Sequence, residues 1–518
     1  MNPFAPPVPP PGPDGAAQKG PPPIGWGLAL GMAGAVLGSL ASNLDTRLTA
    51  FSLADLRGGV GYGVDEASWV SLAYNVAEVA VVPMTPWLSS IVSPRRAIAS
   101  AAVLLTVAGG FVPSAAPSLP WLVGLRFLQG MGGGALIPLL LLTVLRFTPA
   151  HQRVFGLTVY SFVTAATPLC ADSLSGLLLD TFGWQSIYYI ALPLGPLVVF
   201  MVLAGLPVEK AKPEVFARTD YGGMLLLALF AGTLTAALDQ GQRLDWFDSP
   251  LIDSLFVSAA CFLAGFVVLE LTLEEPLIDL GLLSRLNFSV GLLMMFEFAS
   301  ASLLTSSILP QYGQQVRGFR QDQVGSILIW GALVQLVLCV PLPFLLRVVE
   351  ARVVLAVGLL AAAVAYRLGT FIDSDWVGVD LALVLALSSA SQMLILVPTT
   401  VVSTGTLQPR DAQSGGTIFN VVRNLAVTAT GAVAGGIMTV RERVHSFYLT
   451  DHLVRGAPVT VAREGAAGLG ALSQATRIQA TVEAVADTFG WLAMALLAGF
   501  ALVLALRQTP VARPPRRP

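Results

Sequence analysis

Eight ionisable side chains stand inside long apolar runs of this sequence: Asp45, Arg47, Glu78, Arg126, Asp172, Glu297, Arg367 and Arg423. If those runs cross a bilayer, each such residue near mid-span costs at least about 2.5–3.5 kcal/mol on insertion scales, so it is kept for a reason. Their chemistry suits proton-linked transport. A carboxylate keeps its proton when water is excluded and gives it up beside a cation or in contact with water. A helix movement that changes these surroundings can load and release a proton. The same acid can attract a cationic substrate and exchange it for that proton.

Each position also has a structural reading. Asp45 and Arg47 lie where the first run ends and can sit in the interface. Arg367, in YRLGTF, can snorkel to the membrane surface. Arg423 can serve backbone carbonyls or a carboxylate, and Asp172 can pair with Arg126 or Arg47. Glu78 and Glu297 lie farther from the ends of their runs. Arg126 sits in LRFLQGMGGGALIPL, with Gln129 one turn on and glycines at 130, 132, 133 and 134 that let a neighbouring helix approach closely. Its guanidinium, charged at any working pH, needs a carboxylate or a water-filled cavity. Gln335 is a further cavity candidate, and aromatic and apolar side chains are expected to supply most substrate contact.

The elements that must hold these groups are membrane helices. The chain has 518 residues, 55% hydrophobic and 12% charged, with mean hydropathy +0.74. Soluble domains carry about 25% charged residues, so lipid is the expected solvent. A net charge of −2 gives no reason to expect nucleic acid. Cys170, Cys261 and Cys339 all lie in apolar runs, which suits free thiols rather than a disulfide framework. Runs of about 20 apolar residues mark spans. They fall near 24–44, 67–90, 96–116, 120–145, 154–178, 184–205, 219–239, 250–270, 286–310, 321–347, 352–371, 378–402, 414–441 and 485–507.

The expected fold class is an all-α integral membrane protein with about 14 spans. A six-helix bundle over 24–205 and another over 286–507 flank two inserted helices in 219–270. The Pro-rich tail 1–23 is expected to be disordered, 508–518 to be a cytoplasmic tail, and 442–484 to be a long outer loop. An even span count puts both termini on one side. About sixteen basic residues fall on that side, among them Arg95, Arg96, Arg146, Arg153, Arg347 and Arg352, against about five in the opposite short loops. By the positive-inside rule the termini are cytoplasmic. Basic connections SPRRA and RVVEARV recur between the second and third helices of each bundle, a symmetry that suits alternating access.

These residues resemble a known family, the fourteen-span drug:proton antiporters of the major facilitator superfamily (EmrB/QacA-like), over about 24–507. LRFLQGMGGGALIPL is similar to the family's fourth-helix motif R-x-x-Q-G, which would make Arg126, Gln129 and Gly130 the proton-coupling arginine and its neighbours. LDTRLTAFSLADL resembles the first-helix motif, with Asp45 at its acidic position, and FNVVRNLA places Arg423 at an arginine the group often has. LDQGQRLDWFDSP looks like the loop between the inserted helices, and FGWQSIYYIALPLG like the entry to the sixth helix. Departures are equally specific. Pro86, Ser90 and Ser93 replace Gly, Asp and Gly in the second-to-third loop motif, and Arg47, Ala50 and Ala54 replace Thr, Asn and Pro in the first helix. In the fifth-helix antiporter motif G-P-x-x-G-G the aligned residues are Ala171 to Gly176, with Asp172 in place of the proline.

The resemblance implies a proton-coupled antiporter that exports small amphipathic organic compounds or drugs across the inner membrane. Proton-coupling or substrate-binding residues would be Asp45, Glu78, Arg126, Gln129, Asp172, Glu297 and Arg423. It further implies no cofactor beyond the proton gradient, and a possible periplasmic adaptor and outer-membrane channel as partners. The alternative on the same fold is a proton-coupled importer of an organic acid or other metabolite. An enzyme would need clustered acid–base or metal ligands, and the chain's histidines are His151, His445 and His452, without a neighbouring cysteine.

Overall fold

The computed structural model describes residues 25–506, apart from 150, 210–215, 217–218, 274–275, 406, 408–410 and 457–465. Both tails, 1–23 and 508–518, lie outside the described residues. The described residues form helices and no strand. In order, the long helices are α1 (Trp26–Val60), α2 (Val64–Ala80), α3 (Pro94–Ala115), α4 (Leu119–Phe147), α5 (Arg153–Phe182), α6 (Ala191–Gly205) and α7 (Tyr221–Gly241). There follow α8 (Pro250–Thr272), α9 (Leu286–Leu303), α10 (Gln321–Cys339), α11 (Ala351–Gly369), α12 (Gly378–Gly405), α13 (Ala412–Gly456) and α14 (Ala466–Leu504).

Thirteen segments of the described residues are long and apolar enough to span a bilayer. The fourteenth expected span is α2, which is interrupted: a 3₁₀ turn at Val82–Met84, bearing Pro83, separates it from a short helix, Thr85–Val92. Proline cannot donate to the helical ladder, and this break follows from that. Large apolar side chains such as Phe111, Trp121, Phe200 and Trp330 face outward, as a lipid-facing surface requires.

In the first half α1 packs on α4, α5 and α6, while α4 packs on α2 and α3. In the second, α11 packs on α12 and α14, and α9 on α12 and α13. The inserted α7 lies against α2 and α13, with α8 on its outer side. The halves meet most extensively along α5 and α10. There Gly176 approaches the backbone of Asp322, Gly325 approaches that of Ser173, and Ser173 Oγ donates to the Gly325 carbonyl at 2.6 Å.

Two local features depart from expectation. The 442–484 segment, expected as a loop, is largely helical, because α13 continues to Gly456 and α14 begins at Ala466. At 1.5 Å per residue α13 is roughly 67 Å long against a hydrocarbon core of about 30 Å, so the pair extends well past the membrane. Its charged residues made the stretch look like a loop, yet they solvate a helix beyond the bilayer equally well. The second feature is Ser93, between the helix Thr85–Val92 and α3, with φ 88°. A glycine is usual at this position in the resembling motif, and glycine accepts positive φ without strain.

Candidate functional site

The glycine run of α4 decides where Arg126 sits. A Cβ on Gly134 would lie 2.6 Å from Glu78 Cα of α2, and one on Gly130 would lie 3.0 Å from Tyr74 Cα. On another face, Gly132 is pressed against the backbone of α3 at Leu105. With α4 held this closely, Arg126 and Gln129 meet Asp45 of α1. Arg126 Nη1 lies 3.2 Å from Asp45 Oδ2, Gln129 Nε2 donates to Asp45 Oδ1 at 2.7 Å, and Arg126 Nη1 donates to Gln129 Oε1 at 2.6 Å. All three residues are buried. The guanidinium carbon lies 4.3 Å from the ring centroid of Tyr74 and 5.6 Å from that of Tyr188, both rings fully buried. Asp45 and Arg47 therefore do not share an interface position, and Asp45 is the carboxylate that Arg126 required.

A cavity of about 280 Å³ lies between the halves. Arg47 of α1, Glu78 of α2 and Arg423 of α13 line it, together with Asn43, Asn75 and Thr164. Glu78 has no hydrogen bond or ion pair among the described residues, although the charges of Arg423 and Arg47 both act on it. Arg423 is buried, donating to Thr164 Oγ1 at 3.3 Å and to Asn424 Oδ1 at 2.8 Å, and its Nε has no partner. Arg47 forms no ion pair among the described residues. Among the described lining residues Phe298 is the one aromatic ring, and hydroxyl and amide side chains alternate with apolar ones such as Val79, Ile137 and Val427.

On the second-half wall, Ser302 comes from the last turn of α9, and Thr305 and Ser306 from the π-helical turn, Leu304–Ile308, that follows it. Such turns frequently mark functional positions. Here the Tyr366 hydroxyl accepts the Leu304 N–H at 3.0 Å. Gln335 stands behind the wall, donating at 3.2 Å to Gln392, which in turn donates at 3.1 Å to Thr305.

Asp172 does not line the cavity. It is buried in the seam where α5 meets α10, and its Oδ1 has no hydrogen-bond partner. Among the described residues it forms no ion pair; Arg47 is the charge that acts on it, and Arg126 is taken by Asp45. Glu297 is a second correction: it points away from the cavity toward Gly499 of α14, and its Oε2 is buried without a partner. Arg367 is partly exposed near the end of α11 beside Phe371, as a snorkelling side chain would be. No group of three His, Cys, Asp or Glu side chains among the described residues is arranged to hold a metal ion.

Sequence reasoning missed Tyr74 and Tyr188 around the guanidinium, and the amide and hydroxyl lining. Tyr74 carried a usable signal, since it precedes Glu78 by one turn on the same face of α2. The polar lining carried none, because Ser, Thr and Asn are common throughout membrane helices.

The sequence profile of the Major Facilitator Superfamily matches residues 35–431. The multidrug export protein EmrB of Escherichia coli K12 is 26% identical over 410 residues, covering 79% of this chain and 80% of that protein. The multidrug resistance protein Stp of Mycobacterium tuberculosis H37Rv is 27% identical over 433 residues, covering 82% and 78%. Among solved structures, a D-xylose–proton symporter superposes with a TM-score of 0.57 at 12% identity, covering 93% of this chain and 99% of that one, which speaks to fold.

Proposed function

The chain belongs to the major facilitator superfamily, and from that premise we propose that it exports small amphipathic organic compounds by alternating access, driven by protons moving the other way. Its relatives named as multidrug export proteins support export, and a transporter rather than an enzyme is what the family implies. The observation that carries the reading is Glu78 in the cavity between the halves, without an ion-pair partner and under the charges of Arg423 and Arg47. An ionised Glu78 is a strong acceptor for an N–H or O–H of the cargo. A proton on it removes that acceptor, so proton and cargo exclude one another. Asp172, in the seam that must part and close, is the second acid whose surroundings change with the transport cycle. Asp45 and Arg126 neutralise each other and couple α1 to α4, with Gln129 completing the cluster.

The distribution of basic loop residues supports cytoplasmic termini and, in a double-membraned cell, the inner membrane, where an adaptor and outer-membrane channel would receive the cargo. Arg47 and Arg423 also favour a second reading, import of an organic acid, because two cations without an ion pair suit an anionic headgroup. Reconstitution separates the two. With antiport, adding cargo to proteoliposomes under an inward proton gradient speeds proton entry as cargo leaves, and Glu78→Gln abolishes that exchange. Cargo accumulating with the protons would refute export.

A further inference from the structure

Outside the central cavity, the densest cluster of titratable groups clasps the extended parts of α13 and α14. His445 Nδ1 lies 2.8 Å from Glu483 Oε2, and His445 Nε2 lies 2.6 Å from Asp487 Oδ2. Arg441, one turn back on α13, places its Nε 2.6 Å from the same Asp487 oxygen and its Nη2 3.5 Å from His445 Nε2. Arg441 and His445 are the charges acting on Asp487. The extension of α9, Leu309–Gln315, also packs on α14 and brings the uncharged Gln311 and Gln315. His445 is about 50 Å along α13 from Ala412, beyond the hydrocarbon core on the side away from the termini.

The geometry fixes the protonation that this arrangement needs. An ionised carboxylate only accepts hydrogen bonds, and a neutral imidazole donates from one nitrogen alone. Bonds from both ring nitrogens to the two ionised carboxylates require the imidazolium. With it, two cations balance two anions across the helix pair. Without it, the cluster carries a net negative charge, and one carboxylate faces a ring lone pair. Arg441 still holds Asp487, and the neutral ring donates to only one carboxylate, so one of its two charge-assisted bonds to α14 is lost.

One helical turn away, the same two helices wall a second cavity of about 570 Å³, lined by Glu442 and Thr439 of α13, Gln474 and Arg477 of α14, Gln242 and Gln315. Gln242 of the α7–α8 connection donates to the Gly435 carbonyl at 3.2 Å and to Thr439, and Asp245 of the same connection lies 3.8 Å from Arg443, so this stretch of α13 is anchored beside the cluster on its α7–α8 side.

We propose that a proton on His445 tightens the clasp between α13 and α14 beside this second cavity, and that the helix pair loosens there when the ring loses the proton, with Arg441–Asp487 as the remaining link. This latch is made at acidic pH, where the ring holds its proton, and is released as rising pH removes it. It depends on neither the direction of transport nor the cargo.

Hydrogen exchange on the full chain in lipid nanodiscs tests this, with rates converted to protection factors that remove intrinsic pH effects. In the wild type, amides of 441–456 and 468–487 should be at least about tenfold more protected at about pH 5.5 than at about pH 8.5, the size expected for one charge-assisted hydrogen bond. His445→Gln should show the low value at both pH values, and Glu483→Gln should lose most of the pH dependence. Peptides of α4 report whether each variant is folded. Equal wild-type protection at the two pH values overturns the latch, as does a folded His445→Gln that keeps the wild-type pH dependence.

Discussion

Replacing Asp45 with Asn tests whether the pair with Arg126 is the closed, neutral unit that its geometry implies. The substitution keeps shape and removes charge. Asp45 accepts from Gln129 at 2.7 Å through one oxygen and faces Arg126 at 3.2 Å through the other. An asparagine must turn its NH₂ toward one of these donors, so one bond becomes a donor–donor contact. Arg126 is then a guanidinium about 1% exposed without a counter-charge. Removing one partner of a buried pair costs about 3–5 kcal/mol. The rings of Tyr74 and Tyr188 recover a cation–π contribution of at most about 2 kcal/mol, already present in the wild type, so they do not offset the loss. The assay is thermal unfolding in detergent at fixed protein and lipid concentration, compared with Arg126→Met and the double variant Asp45→Leu, Arg126→Met. Each single change should destabilise strongly. The double change should recover most of the loss, because an apolar pair of similar volume has no stranded charge. A fully stable Asp45→Asn protein would refute this account, since Glu78, in the cavity that Arg126 also borders, would then suffice as its counter-charge.

Four further substitutions are informative. Ser93→Gly removes a side chain from a residue at φ 88° and should raise stability by about 1 kcal/mol, read as a higher unfolding temperature; no gain means the turn is not strained. Gly134→Ala places a methyl against the backbone of α2 and should lower both stability and transport, whereas Gly416→Ala, in open space on α13, should leave stability equal or up to about 1 kcal/mol higher. Asp172→Asn should fold at least as stably as wild type, because it removes an acid with no ion pair, yet it should shift the pH dependence of transport; an unchanged profile removes Asp172 from the coupling.

How much of this was legible in the sequence depends on what each residue had to exclude. Span positions follow from the absence of water in the bilayer, which leaves a helix no other way to satisfy its backbone, so runs of apolar residues marked them well. The failure at 442–484 has the same root. Beyond the bilayer a charged helix and a charged loop look alike, and only the packing of α13 on α14 decides between them. Buried acids were recognisable as costly, but cost does not give direction. Asp45, Glu78, Asp172 and Glu297 all passed the same test in one dimension. Helix rotation then sent Asp45 to Arg126, Glu78 to the cavity, Asp172 to the α5–α10 seam and Glu297 to Gly499 of α14. The proline position taken by Asp172 pointed to an altered fifth helix; that α10 covers it could not be read from sequence.

The glycines of α4 explain which parts can move during transport. Gly134 touches the α2 backbone at Glu78, and Gly130 touches it at Tyr74, whose ring covers Arg126. Asp45 ties the same guanidinium to α1. The cavity acid, the buried ion pair and three helices are therefore joined by backbone contacts that leave no room for sliding, and close-packed interfaces shift between discrete arrangements rather than deform. A change of access must be taken up elsewhere. The α5–α10 seam also has close backbone contacts, but it joins the two halves and carries a buried acid with no ion pair. Protonation there can bias the seam without disturbing the α1–α2–α4 unit. Under the proposed function, this separates a rigid surface around Glu78 from a titratable hinge line at Asp172.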